Sequence, residues 1–289
     1  MRVWKCGRFD LPLGHKTYVM GIVNVTPDSF SGDGRLGATA IESALQMIED
    51  GADILDIGGE STKPGAALVS AAEELRRVLP VLEALAARAS IPLSIDTTKA
   101  AVALAALDAG ASIINDISGA TFDKEMLATS APTGCGLILM HLRGTPQTMG
   151  WSRQAERAGA DVIAEVKEFW ASRVAAARAA GIADERVALD AGFGFGKSIE
   201  ENLDLLRRGR ELADCGFPTL SGTSRKSTIG KILGDLPVEE RAWGTATTVA
   251  LAIANGCDMV RVHDVRAMAQ VAAVTDAVVR RTCTEPAVH

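Results

Sequence analysis

No apolar run in this chain is long and unbroken enough to span a bilayer, which excludes a helical membrane protein. An excess of positive charge is also lacking. The 30 Lys and Arg stand against 36 Asp and Glu, a formal charge of −6, so no general electrostatic grip on nucleic acid is expected. Cys6, Cys135, Cys215, Cys257 and Cys283 are odd in number and widely scattered, which suits neither a disulfide framework nor a zinc site. They read as reduced, mostly buried thiols. The first residues, "MRVWKCGRFDLPLG", lack the continuous apolar stretch of a secretory signal, and a cytoplasmic location is expected. Linkers, charge blocks and low-complexity tracts are missing too. Residues 1–289 are therefore read as one domain, with a short hairpin at about 2–13 and a frayed end, "TCTEPAVH". What the chain does have is a 47% hydrophobic composition, enough for a large core, and a length that suits one α/β barrel. These exclusions leave a small molecule as the expected partner.

Apolar, β-branched runs alternate with Ala-rich segments of helical period, the pattern of buried parallel strands joined by crossover helices. Eight strands are expected, at 19–25, 54–57, 93–95, 113–115, 137–140, 187–189, 219–221 and 259–262. Helices are expected at 38–50, 71–89, 99–109, 123–129, 156–180, 199–214, 227–233, 238–255 and 265–281. Several stop at a glycine, as at Gly51, Gly110, Gly181 and Gly256. Eight units of this kind predict an α/β fold, a closed (β/α)8 TIM barrel, whose chemistry sits on the loops at the carboxyl ends of the strands.

The residues that follow those strands form a consistent set. In order they are Asn24 with "TPDSFSGDG", "GGESTKPGA", Asp96, Asn115-Asp116, Met140-His141, Asp190, "GTSRKS" and "RVHD". Any one of these is ordinary, since an Asp before a helix is more often a cap than a catalyst. Eight at one barrel end are harder to dismiss. The stretch "LDAGFGFG" adds three glycines in five residues, a costly run that must supply backbone shapes or clearance a Cβ would deny.

Together "MGIVNVTPDSFS", "DIGGESTKPGA", "SIDTTKAAVA", "NDISG", "LMH", "LDAGFGFGK", "GTSRKS" and "RVHDV" resemble the dihydropteroate synthase family, over about residues 19–271. That resemblance implies a (β/α)8 barrel, usually a homodimer, that joins a dihydropterin pyrophosphate to p-aminobenzoate in folate biosynthesis. It implies that Asp190 accepts two adjacent N–H groups of the pterin, that Asn115 and Lys226 meet its other polar atoms, and that Met140 packs on a face. The glycines, Gly194 among them, would leave room for the flat ring. Asn24, Thr62, Arg261 and His263 would meet the pyrophosphate, with Asn24 the Mg2+ ligand, and Arg261 and His263 on one side of a strand. Asp96 would stabilise growing positive charge. Catalysis is thus expected from Asp96, Lys226, Arg261 and His263. Phe30, Thr62, Lys63, Pro64, Phe195 and Ser227 would surround p-aminobenzoate, with Asp28 and Ser31 nearby.

Three positions depart from the family's usual pattern: Lys63 for arginine, Ala191 in place of proline, and Thr223 for methionine. The first loses a bidentate fork and opens the question of an altered response to sulfonamides. Two other readings stand beside this one. A methyltransferase barrel shares "DIGGES", Asp96, Asn115 and Asp190 but has no need of "SRKS" with "RVH". A silent pterin-binding barrel would typically lose Asp96, Lys226 or Arg261.

Overall fold

The computed structural model describes residues 2–26, 36–62, 68–149 and 160–280. Ten strands run in chain order: β1 (Val3–Cys6), β2 (Phe9–Pro12), β3 (Tyr18–Asn24), β4 (Ile54–Gly58), β5 (Leu93–Asp96), β6 (Ile113–Asp116), β7 (Gly136–Met140), β8 (Val187–Asp190), β9 (Thr219–Ser221) and β10 (Met259–Val262). The helices are α1 (Leu36–Glu49), α2 (Ala71–Ala86), α3 (Ala100–Asp108), α4 (Met126–Ser130), α5 (Val162–Ala179), α6 (Ile199–Arg207), α7 (Gly209–Ala213), α8 (Ser227–Ile232), α9 (Ala242–Ala254) and α10 (Val265–Val279). Strands β3 to β10 pair in sequence, all parallel, and β10 closes onto β3. The expected (β/α)8 barrel is what the chain forms.

Period two along each strand divides the barrel into two cores. Outward residues such as Leu55, Ile57, Ile114, Leu139 and Leu189 pack beneath the helices with Val78, Leu82, Val102 and Ile253. Inward residues Met20, Ile54, Ile113, Ile138, Ala188, Leu220 and Met259 fill the lower barrel, joined by Trp4, Cys6, Leu11 and Leu13. Trp4, Cys6 and Leu11 come from the antiparallel pair β1–β2, and Leu13 directly follows it. Trp4 donates its indole N–H to the Arg186 carbonyl at 3.0 Å. Gly136 is required by this plug, because a Cβ there would lie 2.6 Å from the Cys6 Sγ.

Several boundaries differ from expectation, for physical reasons. β5, β6 and β8 each run one residue further, because the ladder continues through Gly58↔Asp96, Asp116↔Leu139 and Met140↔Asp190. The helix expected over 199–214 breaks at Arg208. There the Asn255 carboxamide takes the Leu206 carbonyl that the Arg210 N–H would need in a continuous helix. The segment expected over 238–255 divides into a 3-10 turn, Val238–Glu240, and α9. α5 starts at Val162, where the Asp161 carboxylate accepts from the Ile163 and Ala164 N–H groups as an N-cap. Gly51, Gly110, Gly181 and Gly256, expected to stop helices, all adopt left-handed backbone angles.

Candidate active site

Above the apolar plug, the same inward parity turns polar. Two residues beyond Ile54 stands Asp56, and in the same way Asp96 follows Ser94, Asn115 follows Ile113, Met140 follows Ile138, Asp190 follows Ala188 and Arg261 follows Met259. Six of the eight barrel strands thus bring these side chains, five of them charged or amide, to one mouth, although their positions in the chain span more than two hundred residues.

Arg261 is the hub of that cluster. Its Nε donates to Asp56 Oδ2 at 2.5 Å and its Nη2 to Asp96 Oδ2 at 2.7 Å, while Asn115 Nδ2 donates to the same Asp56 oxygen at 2.9 Å. Asp56 is fully buried, and its other oxygen has no hydrogen-bond partner among the described residues. Sequence reasoning passed over Asp56; its inward parity with Ile54, inside "DIGGES", was the signal that marks it. The cluster also changes the picture of Arg261 and His263 facing an anion side by side. Arg261 is the counter-ion of two carboxylates, Asp56 and Asp96, which burial leaves in need of a cation. His263 instead meets the Ser224 Oγ through Nδ1 at 2.9 Å, and burial, with Arg261, Arg225 and Lys226 nearby, lowers its pKa to about 3. Its imidazole is neutral at pH 7, a hydrogen-bonding group until an anion raises its basicity.

Desolvation raises the Asp96 carboxyl to about 7 despite Arg261, with Asp56, Glu74 and Asp116 adding to the rise. Asp190 is buried and its pKa is likewise raised by desolvation, opposed by a hydrogen bond from the Gly192 N–H at 2.7 Å and by the charges of Lys226, Lys197 and Arg261. Burial lowers the Lys226 ammonium to about 7; it lies 3.8 Å from the centroid of the Phe195 ring. Phe195 packs with Met140, Ile117 and Met149 as a small apolar cluster. A carboxylate and an amide on one side and an apolar wall on the other suit a flat heterocycle with polar edges.

Beside this pocket lies a cavity of about 240 Å3 lined by Thr62, Asp96, Thr97, Ile117, Phe122 and Thr145 among others. Thr62 is therefore at the mouth. Ser227 opens α8 directly after Lys226, and Asn24 ends β3, half-buried, next to Gly58 in the ladder. Asp116 takes no part in the pocket: its carboxylate accepts from the N–H groups of Ser118 and Ala120 and shapes the turn after β6. Phe30, Lys63 and Pro64, with Asp28 and Ser31, lie outside the described residues.

The glycine run needs a different explanation from the expected clearance for a ring. Gly192, Gly194 and Gly196 all have positive φ, and a Cβ on Gly192 would lie 1.9 Å from the His141 carbonyl oxygen. One on Gly196 would lie 2.5 Å from the Arg143 oxygen, and one on Gly194 3.2 Å from Cδ of Lys226. The glycines make room for the loop after β7 and for the lysine stem. Gly192→Ala is expected to destabilise the fold by roughly 3 kcal/mol or more, since strain at left-handed φ and a backbone clash act together. Thermal or denaturant unfolding of the purified variant measures it.

Comparison with known proteins agrees with this geometry. A family model described as "Pterin binding enzyme" matches residues 20–263. The chain is 52% identical over 269 residues to a dihydropteroate synthase of Synechocystis sp., covering 92% of each. The chain belongs to the dihydropteroate synthase family. Among solved members, the enzyme of Xanthomonas albilineans in complex with 7,8-dihydropteroate superposes with a TM-score of 0.84 at 40% identity, covering 96% of this chain and 98% of that one. The Yersinia pestis dihydropteroate synthase in complex with a sulfonamide drug gives 0.88 at 40% identity, with the same coverage.

In this member of the dihydropteroate synthase family, no group of three or more His, Cys, Asp or Glu arranged to hold a metal occurs among the described residues. Asn24 offers one neutral, hard oxygen, and that donor suits Mg2+, which commonly keeps most of its shell as water and substrate phosphate. Two of the three departures lie among the described residues. Thr223 is buried and accepts from the Thr248 hydroxyl at 2.8 Å, so a polar partner on α9 accompanies its change. Ala191 is partly buried and packs against the outer core.

Proposed function

We propose that this chain joins 6-hydroxymethyl-7,8-dihydropterin pyrophosphate to p-aminobenzoate, giving 7,8-dihydropteroate and pyrophosphate. The observation that carries this reading is the mouth of the barrel, where Asp190, Asn115 and Lys226 face the apolar wall of Phe195 and Met140 beside the Asp56–Arg261–Asp96 cluster. In it the Asp190 carboxylate accepts the two adjacent N–H donors of the pterin, a charge-assisted pair of hydrogen bonds. Asn115 and Lys226 meet the remaining polar atoms, and Gly194, lacking a Cβ, leaves room for the lysine stem.

The bond from the methylene carbon to the pyrophosphate oxygen breaks first, and its electron pair leaves with the anion. Arg261, His263, Thr62 and Asn24 surround that anion in this proposal. Asn24 would hold Mg2+, which would supply further neutralisation of the leaving group. The methylene cation is conjugated with the electron-rich dihydropterin, and Asp96 stabilises it electrostatically. The uncharged amine of p-aminobenzoate then forms the C–N bond and loses its proton afterwards, so no strong general base is required. Ser227 and the N–H groups opening α8 face the benzoate carboxylate, with Phe195 flanking its ring. Phe30, Lys63 and Pro64 complete this site in the proposal, and any change in sulfonamide response belongs to Lys63. The deciding assay is pyrophosphate release from the dihydropterin pyrophosphate, with and without p-aminobenzoate and Mg2+, with the product identified by mass. Release that requires both additives and yields dihydropteroate supports the reading. Pterin binding without turnover defeats it and favours a silent or methyl-transferring barrel.

The homodimer is part of the same proposal. α9 and α10 pack side by side and leave Trp243 85%, Val274 68% and Val278 74% exposed, an apolar face of the kind that marks an interface. Light scattering is expected to give twice the chain mass, and Trp243→Glu with Val278→Asp to give a monomer. A wild-type monomer at micromolar concentration would remove the dimer. No helix among the described residues is long and apolar enough to cross a membrane. The free thiols of Cys6, Cys135, Cys215 and Cys257 suit a reducing compartment, and cytosolic placement is proposed on that chemistry.

A further inference from the structure

We propose that Lys197 is the positioning residue of the pterin pocket: its buried ammonium ties the backbone leaving β7 to the backbone leaving β8, and so sets Asp190 and Phe195. The inference rests on the pterin-binding reading above. Lys197 is completely buried, yet it touches no atom that the proposed reaction uses. Its Nζ donates to the carbonyls of Gly192 at 2.9 Å, His141 at 3.3 Å and Phe195 at 3.3 Å. An ammonium has three N–H donors, and here three carbonyls take them. The nearby carboxylates of Glu165 and Glu201 are bonded by Arg143, which reaches both at 2.5 to 2.8 Å.

Each of the three carbonyls belongs to a residue that shapes the pocket. The Gly192 N–H donates to Asp190 Oδ1 at 2.7 Å, and the Gly192 carbonyl also accepts from the Phe195 N–H at 3.0 Å. The His141 N–H donates to the Asp190 carbonyl at 2.9 Å. Phe195 carries the ring that faces Lys226. One cation therefore holds the turn that aims the carboxylate, the turn that aims the ring, and the loop leaving β7. The positive φ of Gly192, Gly194 and Gly196 lets those carbonyls converge on a single point.

Burying an ammonium is unfavourable, and a neutral side chain would pack here without that penalty. Desolvation and Arg143 lower the Lys197 pKa to about 7, while Asp190, Glu165 and Glu201 oppose the fall. Below about pH 7 the side chain is the full ammonium, and its donors meet convergent carbonyls that no apolar residue could satisfy.

The test is Lys197→Met, with ligand-free folding checked by circular dichroism and melting. Calorimetry with 6-hydroxymethyl-7,8-dihydropterin is expected to show its Kd rise roughly 30-fold, the effect of one or two misaligned charge-assisted bonds. KM for p-aminobenzoate, measured at saturating dihydropterin pyrophosphate, is expected to rise only about threefold, since of the groups proposed to meet p-aminobenzoate Lys197 bonds Phe195 alone. Lys197→Ala opens space for ethylamine, and added ethylamine is expected to restore dihydropterin affinity saturably, whereas ethanol is not. Should the Met variant fail to fold, Lys197→Gln keeps two donors and serves for the same measurements. A folded variant with wild-type dihydropterin Kd and only a lower melting temperature overturns the proposal, as does equal loss in dihydropterin affinity and p-aminobenzoate KM. Wild-type protein that binds no dihydropterin defeats the functional reading instead.

Discussion

Asp190→Asn is expected to weaken dihydropterin binding by roughly 200-fold or more while leaving the protein folded. The carboxylate is buried at the end of β8, where desolvation raises its pKa and the Gly192 N–H, Lys226, Lys197 and Arg261 hold it down. A bound pterin presents two parallel N–H donors to it. Hydrogen bonds to a charged acceptor contribute about 1.5–3 kcal/mol each, so losing both costs about 3–6 kcal/mol. Asparagine keeps the shape and one acceptor oxygen, which continues to receive the Gly192 N–H. Its NH2 group, however, points a donor at a donor. Removing a buried charge also relieves a desolvation cost, so the melting temperature of the free protein should not fall. Calorimetry with 6-hydroxymethyl-7,8-dihydropterin decides the matter. Affinity within fivefold of wild type would place the pterin elsewhere.

Arg261→Met should be damaging in two separate ways. It leaves Asp56 and Asp96 buried at one mouth without the guanidinium that bridges them. Removing one partner of a buried pair typically costs about 3–5 kcal/mol, which for a chain of this size lowers the melting temperature by roughly 10 °C. It also removes a cation proposed to face the leaving group, expected to reduce kcat by roughly a thousandfold. The pH dependence separates the two effects. Asp96 has its folded pKa raised from 3.8 to about 7, so the stability linked to its protonation is fully present below about 3.8 and is lost as pH rises through about 7. Without Arg261, which lowers that pKa, the folded value moves further up. The variant should therefore be more destabilised at pH 8 than at pH 5.5. Adding Asp56→Asn should recover part of the stability and none of the turnover. If the single variant melts like wild type at pH 8, the cluster does not hold two ionised carboxylates.

Much of this site is legible along the chain because strand periodicity is local. Asp96, Asn115 and Asp190 each end an apolar run, Arg261 stands one residue before the end of its strand, and the barrel pattern places such residues at one mouth. Asp56 escaped notice because it sits mid-strand between Leu55 and Ile57, where an acid looks misplaced until register shows that it faces Arg261. Lys197 escaped for a related reason. Its role depends on the His141 carbonyl, 56 residues away, which no periodicity announces.

The glycine run shows the same boundary. Its cost was visible in the letters, and so was the conclusion that something must lie close to that backbone. What lies there is the loop after β7 and the stem of Lys226, brought in from neighbouring strands. By itself the sequence determined eight buried strands, the helices between them, the glycines that stop those helices and the polar residues at the strand ends, because these depend on contacts within a few residues. Only the tertiary structure decided that Arg261 serves Asp56 and Asp96, and that one ammonium gathers three carbonyls. Those pairings depend on barrel closure and strand register, which bring together groups up to 205 residues apart.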